Sequence, residues 1–251
     1  LWTVSTSLKT LQQIAVWPPE WIPRPVMWSN YIEVFHVAPI ALYLRNTMVI
    51  VIADVLGAVI TCSFVAYGFS RTNFPGRDAL FMLLLSTLMM PYVVRLVPLY
   101  VIYNQIGWIN TFLPLVVPPL LGRNPFFIFL LRQFLMGLPT EISDAARVDG
   151  ATEFGIFRQV IMPLARPAIA VVALFQFIGS WNDYFGPLIY LNDKARYTIS
   201  LGIANMQSSY GFSNFAWIMA ATCMSVLPII VLFFFAQRTF IEGIALTGLK
   251  G

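Results

Sequence analysis

The sequence predicts an all-α, polytopic membrane protein, built as a bundle of helices that cross a lipid bilayer. Of its 251 residues, 59% are hydrophobic and only 10% are charged, and the mean hydropathy is +0.76. Soluble domains carry roughly 25% charged residues, so this chain has too few polar side chains to surround a water-soluble core. Its apolar residues lie in runs of about 17–25, the length that a helix needs to span a bilayer.

Five apolar runs are visible, and each predicts one transmembrane helix. The breaks between them contain turn-forming residues, such as "SRTNFPGRD" after the first run and "YLNDKARYT" after the fourth. The segment from Gln12 to Pro39 is rich in Trp and Pro and predicts a non-helical layer at the outer surface, because Trp favours headgroup level. The five runs lie at about 43–68, 79–103, 112–131, 168–190 and 215–236.

Basic residues near the span ends predict the orientation. By the positive-inside rule the loops richer in Arg and Lys are cytoplasmic, and these include the long loop 132–167 and the tail 237–251. Five spans that end inside place Leu1 outside, and no signal peptide precedes it. We therefore expect a sixth span, preceding Leu1, in the complete protein, and a single membrane-embedded domain over 1–251.

Several functions are disfavoured by what the sequence lacks. The net charge is +4 and the basic residues are scattered, which gives no basic face for nucleic acid. His36 is the only histidine, and Cys62 and Cys223 lie far apart in apolar runs, which predicts buried thiols rather than a metal site. No GxxxxGK[ST], GxSxG or HExxH motif occurs. We expect no metal, no bound cofactor and no enzymatic activity in this chain.

Three ionisable residues lie within the predicted spans, namely Asp54, Arg95 and Arg123. Each costs about 2.5 kcal/mol or more at the bilayer centre, so each should face protein or water. Arg95 lies between two prolines and Arg123 precedes Asn124 in "LGRNPFF", where the backbone is loosened as it is beside cavities. For the two arginines, structural pairing and a polar translocation path both stay open. For Asp54 we favour structural pairing.

A second polar group lies near the outer end of the fourth run, in "GSWNDYFGPL". Aromatic faces beside amide and carboxylate acceptors suit the hydroxyl surface of a sugar. The same pattern also suits an aromatic belt with a polar helix end, and both interpretations stay open. The four residues concerned are Trp181, Asn182, Asp183 and Tyr184.

The loop 132–167 predicts a helix, a glycine turn and a second helix. Pro139 suits the first helical position and Glu141 the first turn, and the helix should run to about Asp149. Gly150 can adopt the left-handed conformation that ends a helix. The following Thr152 then caps a second helix, which should end before the proline at 163.

The first helix of this loop is unsuited to lying on the membrane. Surface helices carry Lys or Arg on the polar face and bulky apolar residues opposite. Here the acids outnumber the single Arg147, and the apolar side is mostly Ala145 and Ala146. Acids are repelled by an anionic leaflet and small alanines allow close approach of another protein. The helix therefore predicts a docking site for a partner protein.

The segment 141–167 resembles the EAA loop of ABC-importer inner-membrane permeases and reads "EISDAARVDGATEFGIFRQVIMPLARP". Asp144 replaces the usual Glu of that pattern, Gly150 is its glycine, and Met162 replaces its usual Leu. Nearly the whole chain resembles the carbohydrate-uptake, MalG-like branch of these permeases. The segments that carry this are "AYGFSRTNFPGRDALF", "MMPYVVRLVPLY", "FLLRQF", "WNDYFGPLIYL" and "QRTFIEGIALTGLKG".

This resemblance implies a multi-pass permease subunit in a bacterial cytoplasmic (inner) membrane, importing a sugar, oligosaccharide or sugar derivative by alternating access. It implies a second homologous permease, two ATP-binding cassette subunits that hold ATP and Mg, and an extracytoplasmic solute-binding protein that meets segments 11–40 and 191–214. The tail 237–251 would reach toward the ATPase dimer. The docking surface of the coupling helix would comprise Glu141, Asp144, Ala145, Ala146, Arg147, Asp149, Gly150 and Ala151.

Two alternatives remain at the level of sequence. An ion-gradient-driven secondary transporter would show inverted repeats with broken helices and a carboxylate ion site, and only Asp54 could serve as that site. A membrane scaffold without transport would leave Arg95 and Arg123 unexplained. Two buried cations would also permit an anionic sugar as the solute.

Overall fold

A computed structural model describes the backbone of residues 1–210 and 215–248, and the side chains of 1–209 and 215–235. Within these residues the secondary structure is helical and contains no strand. The helices are α1 Trp2–Ser7, α2 Leu11–Ile14, α3 Asn30–Val37, α4 Ile40–Arg71, α5 Arg77–Ser86, α6 Tyr92–Gln105, α7 Leu113–Leu120, α8 Pro125–Met136, α9 Glu141–Val148, α10 Glu153–Leu164, α11 Arg166–Trp181, α12 Phe185–Tyr190, α13 Ile199–Tyr210 and α14 Phe215–Gly248.

Among the described residues, three helical stretches are long and apolar enough to cross a membrane: α4, Leu113–Met136 and Phe215–Phe235. Two further pairs pass the same test together but are bent, α5 with α6 by 97° and α10 with α11 by 78°. If each bent pair is one span, length and composition give five spans, the number that the sequence predicts. The last pair begins at Glu153, within the predicted loop 132–167, and ends at Trp181, short of the predicted 190. The all-α, polytopic fold class is therefore confirmed.

Three of the predicted spans are interrupted. The second bends where Met90 is extended before Pro91, because a residue that precedes proline is disfavoured in the helical conformation. The third breaks over 121–124, where Gly122 has a φ of +79°. In the fourth predicted span, helix α11 ends at Trp181, whereas the apolar run continues to 190. The sequence predicts loosened backbone at the prolines around Arg95 and beside Arg123, and the first two interruptions lie there. The early end at Trp181 was not predicted.

The Trp- and Pro-rich segment 12–39 is predicted to be non-helical, but the structure contains helix at both of its ends. Residues 15–29 contain no helix, but α2 precedes them and α3 follows. Residues 26–38 contain no proline, so the eight residues of α3 have none to interrupt them. The non-helical prediction is therefore wrong at both ends of the segment.

By backbone contacts the chain divides into two compact units. The first comprises 1–50, 110–112 and 180–233, and the second comprises 51–109, 113–179 and 234–251. The units interleave along the chain and both draw on α4. One membrane-embedded domain over 1–251 stays a prediction. Residues 211–214 and 249–251, which belong to the predicted outer surface and the tail, lie outside the described residues.

The core of the second unit joins the loop 132–167 to the spans. Its buried apolar side chains come from α4, α8, α10 and α11, so the second half of the loop is packed among membrane helices. Cys62 belongs to this core, as its apolar context predicts, while Cys223 is half-buried. The remaining members are Ala66, Tyr67, Ile128, Leu131, Leu135, Ile156, Phe157, Ile161, Ala165, Ala168 and Val172.

Candidate functional site

The first helix of the loop forms as its sequence predicts. Helix α9 has Glu141 and Asp144 in its first turn, where acids favour the positive end of the helix dipole. It ends at Val148, and Gly150 follows in the left-handed region with a φ of +81°. Pro139 lies outside the helix, two residues before Glu141, so its predicted place at the first helical position is wrong.

The second helix also starts where predicted. Thr152 has extended backbone, and its hydroxyl accepts a hydrogen bond from the Gly155 N–H at 3.1 Å. The helix then widens to π geometry over Ile156–Ile161 and continues to Leu164. The predicted end before Pro163 is wrong, because this proline lies in the first turn of the last helical segment, where its missing N–H is tolerated.

Helix α9 presents its predicted docking residues to solvent. Of this set, only Ala146 is half-buried, and it packs against the core. Val148 is 87% exposed and was not predicted as a docking residue. Its position three residues after Ala145 and four after Asp144 on a helix was a usable signal, since residues at these spacings share a face. The exposed residues are Glu141, Asp144, Ala145, Arg147, Asp149, Gly150 and Ala151.

A chain of polar contacts joins α9 to α4. The Arg147 guanidinium donates to Asp144 Oδ1 and to Glu153 Oε1, both at 2.7 Å. The other carboxylate oxygen of Glu153 accepts a hydrogen bond from the hydroxyl of Tyr67 at 2.7 Å. Hydrogen bonding to Glu153 is the main cause that raises the pKa of Arg147, and Asp144 adds to it. The sequence did not indicate Tyr67 or Glu153 as site residues. Tyr67 is 86 residues from Glu153, and Glu153 is separated from Arg147 by the turn at Gly150.

The start of the loop is fixed to the end of α4. Arg71 Nη2 donates to the carbonyls of Leu135 and Leu138 at 2.6 and 2.8 Å, and Nη1 donates to the carbonyl of Pro139 at 3.3 Å. These carbonyls include the last of α8, which have no partner within the helix. Together with Tyr67, Arg71 holds both halves of the loop against the same helix end.

Within the spans, Asp54 is paired as the structural interpretation predicts. Its side chain is buried, and its Oδ2 accepts a hydrogen bond from Gln176 Nε2 at 2.8 Å. Gln176 Oε1 in turn accepts from Asn124 Nδ2 at 2.7 Å. Gln176 was not singled out from the sequence, because one amide within an apolar run carries no local signal.

The two arginines both lie beside helix breaks in the second unit. Arg95 is half-buried in the first turn of α6, and its Nε is buried without a hydrogen-bond partner among the described residues. Arg123 is exposed within the interruption 121–124. The polar-path prediction for Arg95, Arg123 and Asn124 stays a prediction.

The outer polar group divides into two kinds of side chain. Trp181 is 2% exposed, and its Nε1 donates to the carbonyl of Ser225 at 2.9 Å, so its ring is not at the surface of the described chain. Asp183 Oδ1 accepts from the Gly186 N–H at 3.0 Å in the first turn of α12, which supports the polar helix end. Asn182 and Tyr184 are exposed. A place on a translocation path stays a prediction for all four.

No group of three or more His, Cys, Asp or Glu side chains that could hold a metal ion occurs in the part of the chain that the structure describes.

The described helices are those of a polytopic membrane protein, and comparison with known proteins gives its family. The chain belongs to the family "Binding-protein-dependent transport system inner membrane component", which matches residues 58–245. It is similar to the arabinooligosaccharides transport system permease protein AraQ of Halalkalibacterium halodurans, with 34% identity over 230 residues, covering 91% of this chain and 81% of that protein.

A second relative is the sn-glycerol-3-phosphate transport system permease protein UgpE of Yersinia enterocolitica. It is 31% identical over 248 residues, covering 96% of this chain and 87% of that protein. A solved structure, the crystal structure of a bacterial ABC transporter involved in the import of the acidic polysaccharide alginate, matches with a TM-score of 0.84 and 21% identity. The match covers 95% of this chain and 89% of that one.

These matches confirm the resemblance to the carbohydrate-uptake permeases and the multi-pass location in the inner membrane. The chain is a permease subunit of an ABC importer. Nothing among the matches favours the alternative of an ion-gradient-driven secondary transporter.

Proposed function

We propose that this chain passes a sugar, oligosaccharide or sugar derivative across the membrane by alternating access, driven by ATP-binding cassette subunits that dock on α9. The observation that carries the proposal is the combination of an exposed helix with a buried continuation. Helix α9 offers acids, alanines and Val148 to a partner, whereas Ile156, Phe157 and Ile161 of α10 lie in the core of the membrane helices.

This arrangement suits the transmission of movement. A force applied to α9 passes to α4 through Arg147, Glu153 and Tyr67, because the Glu153 carboxylate accepts hydrogen bonds from both of the others at 2.7 Å. It passes to α11 through the packed side chains of α10, which lie in one core with Ala165 and Ala168. Close-packed cores transmit strain because they have little room to yield.

ATP and Mg belong, in this proposal, to two separate ATP-binding cassette subunits, and this chain is not an enzyme. A second homologous permease completes the membrane part, and the tail 237–251 reaches toward the ATPases. A solute-binding protein docks on the outer surface, over 11–40 and 191–214. The exposed turn at Asn192 and Asp193 belongs to this surface. Its conformation is fixed by hydrogen bonds, because the N–H groups of both residues donate to Asn110 Oδ1 at 3.1 Å.

Coupling through α9 is tested by Gly150→Asp in the complete importer. A residue with a side chain is strained at a φ of +81°, and the added carboxylate lies on the docking surface. We expect the ATPase subunits to be lost on purification and ATP-dependent uptake to be abolished. Gly107→Asp is the matched control, because Gly107 has a φ of +71° and, like Gly150, has nothing within 4 Å of an added Cβ.

Retention of the ATPase subunits and of ATP-dependent uptake in Gly150→Asp would show that α9 is not the docking helix. Equal loss in Gly107→Asp would attribute the effect to backbone strain rather than to docking.

The charge of the solute is tested by replacing Arg95 and Arg123 together with Gln. AraQ and UgpE belong, by their names, to systems for arabinooligosaccharides and sn-glycerol-3-phosphate, a neutral and an anionic class. If the two cations line the path, the double variant should weaken uptake of sn-glycerol-3-phosphate more than that of arabinooligosaccharides. Equal effects on both probes would exclude charge selection by these arginines. Binding of the same panel to the partner solute-binding protein would then identify the solute class.

A further inference from the structure

The interruption between α7 and α8 is held closely by α4. Thr61 Oγ1 donates to the carbonyl of Leu120 at 2.8 Å. Gly57 lies against the same turn, since a Cβ added to it would be 3.1 Å from the backbone N of Leu120. Non-helical backbone at membrane depth is tolerated where protein or a water-filled cavity surrounds it, and here α4 supplies one wall for residues 121–124.

The second attachment of the interruption is polar and directional. Gln176 Nε2 donates to Asp54 Oδ2 and Gln176 Oε1 accepts from Asn124 Nδ2, so the two ends of one side-chain amide bridge the two residues. The three residues thus form one hydrogen-bonded chain, in which Gln176 links the carboxylate to the interruption. Asp54 and Gln176 are 4% and 7% exposed.

The side chain of Asn124 does not make the N-cap hydrogen bond that is common at its position. It is the N-cap residue of α8, where Asn side chains commonly accept a hydrogen bond from the helix, yet its side chain caps nothing there. The amide reaches Gln176 on α11 instead, 52 residues away. The N-terminus of α8 therefore lacks a side-chain cap hydrogen bond from Asn124, and the same side chain connects the interruption to α11.

From these contacts we infer that Asp54 and Gln176 are positioning residues, which hold the interruption 121–124 in place and so orient Arg123 for solute passage. This inference rests on the proposed function for its last step. Apolar packing distinguishes poorly between helix arrangements in lipid, because lipid tails are as apolar as leucine, whereas hydrogen bonds between helices fix one arrangement. Loss of the Gln176 amide would remove the hydrogen bond that holds Asn124, and the segment that carries Arg123 would then be held less firmly.

The test compares two double variants that share Asp54→Asn and differ only at residue 176. In Asp54→Asn/Gln176→Glu the carboxylate is moved to position 176, where it can accept from the amides of both Asn124 and residue 54. In Asp54→Asn/Gln176→Met neither bond can form, but no buried charge is left unpaired. Asp54→Asn alone, which keeps two neutral hydrogen bonds, replaces the first variant if that variant does not assemble.

The position of the interruption is measured with a nitroxide label at Leu121→Cys, a residue 78% exposed, in a Cys223→Ala background of the assembled importer in nanodiscs. We expect the Met variant to increase label mobility and the Glu variant to keep it at the wild-type level. A label at Leu83→Cys, on α5 and 64% exposed, should not respond to either. Unchanged mobility at Leu121 in the Met variant, or equal changes at both labels, would overturn the positioning role.

Uptake gives the second readout. In the Met variant, we expect the half-saturating concentration of whichever probe the wild type transports, arabinooligosaccharides or sn-glycerol-3-phosphate, to rise about tenfold, the loss of roughly one charge-assisted hydrogen bond. Basal ATP hydrolysis should not change, and the Glu variant should restore the wild-type value. A loss of hydrolysis without a change in half-saturation would contradict orientation of Arg123. Absence of ATP-driven uptake in the wild type would refute the proposed function, while the label result would still decide the positioning.

Discussion

The loop 132–167 and the interruption of the third span differ in which of their contacts are buried. In the loop, the ion pairs are exposed, since the side chains of Asp144, Glu153 and Arg147 are 64%, 52% and 38% exposed, and the core beneath them is apolar. In the interruption, the buried contacts are polar and link Asn124 to Gln176 and Asp54. The two regions therefore differ in which kind of contact fixes the structure.

The difference follows from the surrounding solvent. In water, burial of apolar surface supplies most of the stability, and exposed ion pairs contribute about 0–1 kcal/mol. In lipid, apolar groups gain little by leaving one apolar environment for another, so hydrogen bonds and close backbone approach define the arrangement. The loop should accordingly depend on α10 packing, and the interruption on polar bonds and on Gly57.

The largest expected effect is at the apolar core of the loop. Ile156→Ala removes a side chain that is 0% exposed and should lower the free energy of unfolding by about 2–4 kcal/mol, through lost burial and the cavity that remains. Reversible unfolding in detergent micelles, followed by tryptophan fluorescence, measures this. Ile142→Ala is the control on α9, where the side chain is 36% exposed, and it should cost clearly less. Equal losses would mean that the two halves of the loop are packed alike.

A smaller effect is expected where α4 meets the interruption. Gly57→Ala places a Cβ 3.1 Å from the backbone N of Leu120 and should destabilise by about 1–3 kcal/mol through overpacking. Gly68→Ala, in the same helix with nothing within 4 Å, should be stabilising by up to about 1 kcal/mol because alanine favours helix. The same unfolding measurement applies. A Gly57→Ala variant as stable as Gly68→Ala would contradict a tight backbone approach.

The smallest effect is expected for the exposed ion pairs. Arg147→Gln removes both contacts to Asp144 and Glu153, yet its free energy of unfolding should change by less than about 1 kcal/mol. Raising the ionic strength should reduce the difference between variant and wild type further, because salt screens exposed charges. A loss as large as that of Ile156→Ala would reverse the comparison between charged and apolar contacts in the loop.

Local patterns in the sequence predicted much of the loop. The first-turn acids, the left-handed Gly150 and the cap at Thr152 each act within a few residues, so they can be recognised without knowledge of the fold. The π segment and the helical course past Pro163 were not predicted. They depend on how Ile156 and Ile161 pack into the core, which local pattern does not specify.

The spans show the same division. Apolar run length gave the number of spans that the described helices reach when each bent pair counts as one, because the thickness of the bilayer sets the length of a crossing helix. It did not predict the 97° bend or the interruption at 121–124, since hydropathy is insensitive to the backbone conformation of Met90 and Gly122. Prolines and glycines marked both places as loosened, but not by how much.

The sequence by itself determined the class of membrane protein, the helix–glycine–helix loop and the family to which the chain belongs. Composition, helix capping and motif spacing are properties of neighbouring residues or of the whole chain, and they need no fold. Only the tertiary structure decided which groups meet within the membrane. Asp54 and Gln176 are 122 residues apart, and Gln176 and Asn124 are 52 apart. Packing of α4, α8 and α11 brings these residues together, and a single polar residue in an apolar run does not indicate its distant partner.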